Sequence, residues 1–359
     1  METKVCPVEH DDYEQLANCL YNYRNTKRSQ QHWLSRFHHW WENNPLFKPS
    51  MPRGFLLRSA SEQVVGFFGI IPTLTQIGGD EVPGFAVTTW YVERAYQKNA
   101  AGRKLLAGLC EVVGDQPLWM MGANHNTTVI LKRLKKTPVP FCVGPQTSVL
   151  SSFGYAWLTK LEERNRPGRV LSAAQRLLPA IDRRTAQEPS VRVGSLTVKE
   201  LDRADNSFDQ LWQENRSNYA NIKVRNSEIL NWYCFGLELV KKRLFACYEA
   251  EKLLCFAIVD VKKLRGRSYL QCVDVWGYAQ KSEAYDALFS YLLALARKSA
   301  MTGLISFQYP GTTSWFKRQK FSRQEDFVLS GFCQLNERHK DDLLNKKSYF
   351  GQSEGDVGM

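Results

Sequence analysis

Gly84–Gly108, GFAVTTWYVERAYQKNAAGRKLLAG, is the stretch on which the reading of this chain turns. A run of β-formers from Phe85 to Val92 enters a loop that closes on the small residues Ala100, Ala101 and Gly102. Behind it Leu105, Leu106, Leu109, Val112 and Val113 recur at the spacing of one helix face. A strand that runs through small residues into a helix start leaves first-turn N–H groups without backbone partners. With the positive end of the helix dipole, those groups suit a pyrophosphate. Lys98, Arg103 and Lys104 flank the loop, either as long-range attraction for phosphate or as ordinary solvated charge. The loop backbone is expected to matter more to affinity than these side chains.

Downstream, Pro117–Gly122 (PLWMMG) reads as a buried strand, and Asn124-His125-Asn126 follows it directly. Val129–Leu134 (VILKRL) then has the pattern of a short helix. Gln97-Lys98-Asn99-Ala100-Ala101-Gly102 resembles the acyl-CoA loop of the GNAT acyltransferases: Arg or Gln, two residues, Gly, one residue, then Gly or Ala. Val92 and Tyr96 match the valine and aromatic residue that tend to precede that loop. One departure is Ala100 at the first glycine, which fits a right-handed backbone and is strained at positive φ.

The resemblance implies a strand that diverges from its neighbour after the loop helix, with acyl-CoA in the split and an asparagine at the strand's end. Asn124 matches that asparagine. The cofactor-binding set so implied is Trp90, Tyr91, Val92, Gln97, Lys98, Asn99, Ala100, Ala101, Gly102, Arg103, Lys104 and Asn124, for acetyl-CoA or another acyl-CoA. The tyrosine that many members carry as general acid falls at Leu131, which cannot donate a proton.

The chain repeats itself weakly. Gln31–Pro45 (QHWLSRFHHWWENNP) is a tryptophan-rich helical stretch, followed by a strand at Phe55–Arg58, a turn at Ser59–Gln63 and a strand at Val64–Ile71. In the second half Ser227–Phe235 stands for the tryptophan helix, and Arg243–Glu249 with Leu253–Val261 for the hairpin. Tyr269–Gly277, a helix at Glu283–Ala300, the strand Gly303–Gln308 and the segment Trp315–Phe321 echo the later elements. A matched order across two halves is stronger evidence than any one motif. The expected fold is α/β (α+β), two GNAT-like domains in tandem, each a mixed, mostly antiparallel sheet flanked by helices. The expected spans are 1–158, binding acyl-CoA; a basic linker at 159–192; and 193–359, with a degenerate cofactor loop. In that second loop, Gly277–Glu283 (GYAQKSE), no later glycine follows and Glu283 would set a carboxylate beside a pyrophosphate.

Seven arginines lie in the linker: Arg164, Arg166, Arg169, Arg176, Arg183, Arg184 and Arg192. Val170, Leu171, Ala174, Leu177, Leu178 and Ile181 fall at helical spacing around Pro179. Such a helix can lie on an anionic membrane surface, or pack on its own protein with its arginines outward; the small residues on its apolar face favour the second.

Composition sets the outer limits. At 359 residues there is room for two domains, and 43% hydrophobic with 23% charged residues is globular. The net charge of +12 favours anionic partners (CoA, nucleotide-sugars, anionic glycans, lipid head groups, RNA) without choosing among them, and DNA is not expected. No window approaches the roughly 18 apolar residues of a spanning helix. The start, METKVCPVEHDDYEQL, is polar, so no secretory signal is expected and the protein is placed in the cytoplasm, with the inner membrane face as a further option. Nine cysteines without a C-x-x-C pair read as reduced and buried, and six dispersed histidines indicate no metal. His38-His39 beside Trp40-Trp41 reads as an aromatic packing face.

An amine attacking a thioester needs a donor for the oxyanion and a base or water chain for its proton. The resemblance puts the oxyanion N–H at about Trp90 to Val92. His125 adjoins the expected split and has a suitable ordinary pKa, though it can equally hold a loop in place. Glu81 and Glu93 are alternatives, with a structural role preferred for Glu93; Asp274 either faces the acceptor or is a satisfied polar group between Cys272 and Trp276.

The whole pattern resembles tandem-GNAT proteins of bacterial exopolysaccharide and surface-glycan pathways. It shares Asn43-Asn44-Pro45 after the tryptophan helix, the strand Val64–Phe67, and Tyr349-Phe350 before Gly355-Asp356. Acyl transfer to an amino sugar or related amine is what that implies. Two other classes stay open: aminoacyl transfer from tRNA, as in the Fem-type enzymes, and a non-catalytic binding module, which Ala100 and Leu131 favour.

Overall fold

The computed structural model describes residues 2–21, 23, 27–97, 100–121, 139–142, 148–151, 188–264, 267–307, 312–318, 322–324 and 330–350. In chain order the first elements are β1 (Thr3–Pro7), α1 (Tyr13–Cys19), α2 (Gln30–Trp40), β2 (Gly54–Ser59), β3 (Val64–Ile77) and β4 (Asp80–Val92). Then come α3 (Ala101–Val113), β5 (Leu118–Met121), β6 (Val139–Cys142), β7 (Ser148–Ser151), β8 (Arg192–Val193) and β9 (Leu196–Leu201). They are followed by α4 (Asn206–Asn215), β10 (Asn221–Lys223), α5 (Ser227–Phe235), β11 (Arg243–Glu249), β12 (Lys252–Leu264) and β13 (Arg267–Gly277). The last are α6 (Ser282–Lys298), β14 (Gly303–Phe307), α7 (Thr313–Arg318), β15 (Ser322–Gln324), β16 (Ser330–Gln334), α8 (Glu337–Asn345) and β17 (Ser348–Tyr349).

These elements build two compact units, each with its own sheet. Unit 1 comprises Met1–Val143, Arg216–Val240 and Leu329–Met359; unit 2 comprises Gly144–Asn215 and Lys241–Val328. The first sheet runs β1-β2-β3-β4-β5-β16-β6, with β10 added on β3 and β17 on β10. The second runs β15-β7-β14-β13-β12-β11-β9-β8. Reversed, and setting aside the two-residue β8 at its edge, the second order repeats the first strand for strand: β9, β11, β12, β13, β14, β7, β15. In both main paths one pair is parallel, β4 with β5 and β13 with β14, and the rest are antiparallel. A parallel pair needs a crossover helix, which α3 and α6 supply.

The strand between the fifth and the last is taken from the other half of the chain in each sheet. β16, late in sequence, lies between β5 and β6; β7, from the first half, lies between β14 and β15. The contiguous spans 1–158 and 193–359 therefore differ from the units observed. Strand pairing follows shape and exposed backbone groups, and a short strand carries no label of the sheet it will join.

A second difference concerns Ser227–Phe235. It is a helix, α5, but it belongs to unit 1, where the Trp232 ring stacks on His39 at 4.9 Å and its Nε1 donates to the His39 carbonyl at 2.7 Å. The helix in the matching place of unit 2 is α4, burying Phe208, Leu211 and Trp212.

Local chemistry accounts for the elements themselves. β3 is buried along nearly its whole length, so it reads as a continuous apolar run rather than an alternation. α2 starts at Ser29, whose side chain accepts from the His32 N–H at 3.2 Å. It is tied down at its end by Asn44, which donates to the carbonyls of Trp40 and Pro72 and accepts from the Leu46 N–H. That bonding is the physical content of the Asn-Asn-Pro motif. On α3, Leu105, Leu106 and Leu109 are fully buried, each contributing about 2 kcal/mol, whereas Val112 is 46% exposed and lies off the apolar face expected for it. Cys247, Cys255 and Cys272 are buried free thiols and Cys110 is half-buried. Among the described residues no helix is long and apolar enough to cross a membrane.

Candidate functional site

β3 holds β4 from Ile77 opposite Asp80 to Gly66 opposite Val92. On its other edge β4 pairs with β5 only at Phe85 and Ala86, opposite Leu118 and Trp119. β5 continues to Met121, paired there with β16 but, among the described residues, no longer with β4, so the two strands part beyond Ala86. The edge of β4 from Val87 to Val92 is thereby released from the β5 ladder.

Inside that released stretch the β3–β4 register slips. Phe67 faces Tyr91 and Gly69 faces Thr88, which leaves Thr89 and Trp90 opposite Phe68 alone. This is a β-bulge, with Thr89 at φ 47°. Beyond it the side chains alternate. Trp90 stacks on Phe68 at 4.7 Å with rings 9° apart, and both pack with the core under α3. Val92 is buried in the same core. Tyr91 points to the opposite face, edge-on to Tyr23 at 5.8 Å.

After β4 comes one 3-10 turn, Arg94–Tyr96, with Tyr96 against the α3 core. The Gln97 side chain donates to the Val92 carbonyl at 2.9 Å and braces the loop. Ala100 precedes α3 at φ 59°, ψ 22°, the left-handed conformation in which its methyl group is strained by about 1 kcal/mol. Among the described residues no side chain caps α3, its first turn holds no acid, and Arg103 and Lys104 stand there exposed. Cations at a helix N-terminus are disfavoured by the dipole unless an anion sits among them. Ala101 is buried, while Gly102 faces the Trp90 indole: a Cβ on Gly102 would lie 3.4 Å from Nε1 and 3.5 Å from Cζ2. Alanine would fit, but a long side chain would run along the indole and across the helix start.

Of the residues expected to bind cofactor, the structure therefore brings together Trp90, Gln97, Ala100, Ala101, Gly102, Arg103 and Lys104 at one end of the parted strands. The side chains of Tyr91 and Val92 turn elsewhere, leaving their backbone. Lys98, Asn99, Asn124, His125 and Leu131 lie outside the described residues.

The alternative acids are engaged. Glu81, at the far end of β4, pairs with Arg216. Glu93 accepts from the Cys19 thiol at 4.0 Å, and burial, then the Glu93 charge, pushes that thiol up to about 12. Burial also raises the Tyr91 phenol, with smaller contributions from Cys19 and Glu93. Asp274 is buried and accepts from the Val275 N–H at 2.9 Å, as a satisfied polar group would. What the sequence does not announce is the bulge at Thr89–Trp90. Two threonines in a strand carry no signal of it.

Unit 2 shows the same strand arrangement with different chemistry at the loop. β13 pairs with β14 only from Tyr269 to Gln271. Its following loop is short, and Lys281 is paired with Glu249 at 3.4 Å and Glu283 at 3.9 Å. Glu283 stands in the first turn of α6, placing a carboxylate where α3 has cations. Tyr278 donates to Glu214, which also pairs with Lys252 at 3.4 Å.

No protein-family model and no curated protein matches the chain in sequence. Solved structures match it in fold. Saccharomyces cerevisiae N-myristoyltransferase with bound myristoyl-CoA superposes with a TM-score of 0.60 at 11% identity, over 93% of this chain and 79% of that one. A GCN5-related N-acetyltransferase from Anabaena variabilis gives 0.56 at 12%, over 92% and 72%. An Enterococcus faecalis protein described as a probable N-acyltransferase gives 0.56 at 11%, over 93% and 72%. At such identities the likeness is one of fold: the chain is α/β, with two GNAT-like units.

Proposed function

We propose that this chain is an acyl-CoA-dependent N-acyltransferase that holds CoA in unit 1 and acylates an amino sugar or a related amine. The observation that carries the reading is the start of α3. First-turn amides that no described side chain caps and two cations meet there, at one end of the parted β4 and β5. A pyrophosphate would satisfy both at once. The acyl-pantetheine arm would follow the edge of β4 from Val87 to Val92, whose backbone N–H groups are suited to the thioester oxygen. For the proton lost by the amine we assign His125; His125→Ala is expected to lower kcat roughly 100-fold.

Acetyl-CoA is the first co-substrate to test. Longer chains belong in the same panel, because one fold neighbour binds myristoyl-CoA. The surface-polysaccharide role rests on the resemblance carried by Asn43-Asn44-Pro45, Val64–Phe67 and Tyr349-Phe350. Unit 2 is read as binding no CoA, since Glu283 and the Lys281 ion pairs take the place of an anion site.

Calorimetric titration of acetyl-, octanoyl- and myristoyl-CoA into the protein tests this, with Gly102→Glu as the variant. Saturable binding that Gly102→Glu abolishes, without loss of fold, supports the site. Absence of binding to all three overturns it and moves tRNA-dependent transfer and a non-catalytic module ahead.

A further inference from the structure

Thr88 and Thr89 are neighbours on a strand, where successive side chains ordinarily point to opposite faces. Here their hydroxyl oxygens lie 3.0 Å apart, and both residues are buried. The bulge is the cause: at φ 47° Thr89 holds a left-handed conformation that a β-branched residue avoids. Such strain persists only where the surroundings over-determine it, and it gathers at functional sites. Two surroundings do so here. Gly69 faces Thr88 across the ladder, and a Cβ on it would fall 2.8 Å from Thr88 Cγ2 and 2.4 Å from Phe67 Cζ, so the glycine makes the room these side chains fill. On the next residue, Trp90 is locked against Phe68. The hydroxyl pair stands just past Ala86, where the β4–β5 ladder ends.

We propose that this hydroxyl pair is a side-chain donor for the thioester oxygen. Thr88 donates to Thr89 Oγ1, and the Thr89 O–H donates to the acyl carbonyl. A hydroxyl has one donor and two acceptor positions, so Thr89 can do both, and chained bonds of this kind strengthen one another. The inference rests on the acyl-CoA reading above.

The step balances without an added reactant. The amine nitrogen bonds to the carbonyl carbon while the C=O π pair moves onto oxygen, where the Thr89 hydrogen bond stabilises it. On collapse the C–S bond breaks, CoA leaves as thiolate, and the proton lost by the amine neutralises it. Thr89 keeps its own proton throughout. A donor fixed where charge develops acts chiefly on the transition state, and so on kcat.

The test is isotope-edited infrared spectroscopy of acyl-CoA carrying a 13C label in the thioester carbonyl, alongside calorimetric Kd values. The proteins are wild type, Thr89→Val, Thr89→Ser, Thr89→Gly and Thr88→Val, each checked for fold by its melting transition. In wild type the bound carbonyl band should move to lower wavenumber than in free acyl-CoA. Thr89→Val should bind within about 3-fold of wild type yet lose most of the shift, and with any accepted amine its kcat should fall roughly 100-fold at similar KM. Thr89→Ser should retain the shift, and Thr88→Val should weaken it. Thr89→Gly should melt no lower than wild type, because the strain is relieved, and still lose the shift. A band unchanged in Thr89→Val or Thr89→Gly would make the backbone the donor, overturning this proposal while the acyl-CoA reading stands. Folded wild type that binds no acyl-CoA overturns both.

Discussion

Ala100 sets a methyl group on a left-handed backbone just before α3, where the GNAT loop has glycine. Left-handed backbone disfavours a Cβ by about 1–2 kcal/mol, and glycine's extra unfolded-state entropy offsets part of that. Ala100→Gly is therefore expected to raise stability in urea by about 0.5–1 kcal/mol, and Ala100→Val to lower it; equal midpoints for all three would contradict the strain. Asp260 is a second residue with a legible consequence. Burial on β12 pushes its carboxyl up to about 6, against the lowering effect of Lys242 and Lys262. The folded state thus holds this proton more tightly than the unfolded chain, so the contribution of Asp260 falls as pH rises from about 4 to 6. Asp260→Asn should match wild type near pH 4 and exceed it near pH 7, by on the order of 2 kcal/mol in denaturant titrations.

Among elements, the pairing of α5 with α2 shows what a misplaced helix conceals. Read along the sequence, Trp232 is the tryptophan of a second repeat; in space it stacks on His39 within unit 1. Trp232→Ala should cost about 3–5 kcal/mol, and Trp232→Phe, which loses the bond to the His39 carbonyl but keeps a ring, nearer 1–2 kcal/mol. Equal losses, measured by chemical denaturation, would mean that the hydrogen bond rather than the stack holds α5. The tryptophan-rich helix α2 is also explained at this scale. Trp33, Phe37 and Trp40 are buried, and Trp41 donates from Nε1 to the Ile70 carbonyl at 2.8 Å, so these aromatics build core.

At the scale of the molecule the exchanged strands dominate. A fragment 1–215 would lack β16, leaving unpaired backbone groups on β5 and β6, and a fragment 216–359 would lack β7 between β14 and β15. Unpaired strand edges in the middle of a sheet are neither satisfied nor protected. Neither fragment alone is expected to show near-UV circular dichroism with a cooperative melt. A fragment that does would place the exchanged strands outside the folding core.

The sequence by itself determined the pieces that depend on near neighbours. The hairpin of β2 and β3, that of β11 and β12, the core face of α3 and the strand–loop–helix around Gln97–Lys104 are all written in local apolar periods and turn residues. Tertiary structure decided the rest. Which sheet β7 and β16 join, and which unit α5 packs against, depend on edges and surfaces contributed by distant residues. The expected burial of Val112 failed for a related reason, since helical spacing gives an angle around α3 but not the width of the face its neighbours cover. The bulge at Thr89 and the left-handed turn at Ala100 are conformations that neither residue prefers. At Thr89 the cause lies across the ladder, where Gly69 makes room and Phe68 holds the next residue, and no local signal in the chain can announce a conformation imposed from outside it.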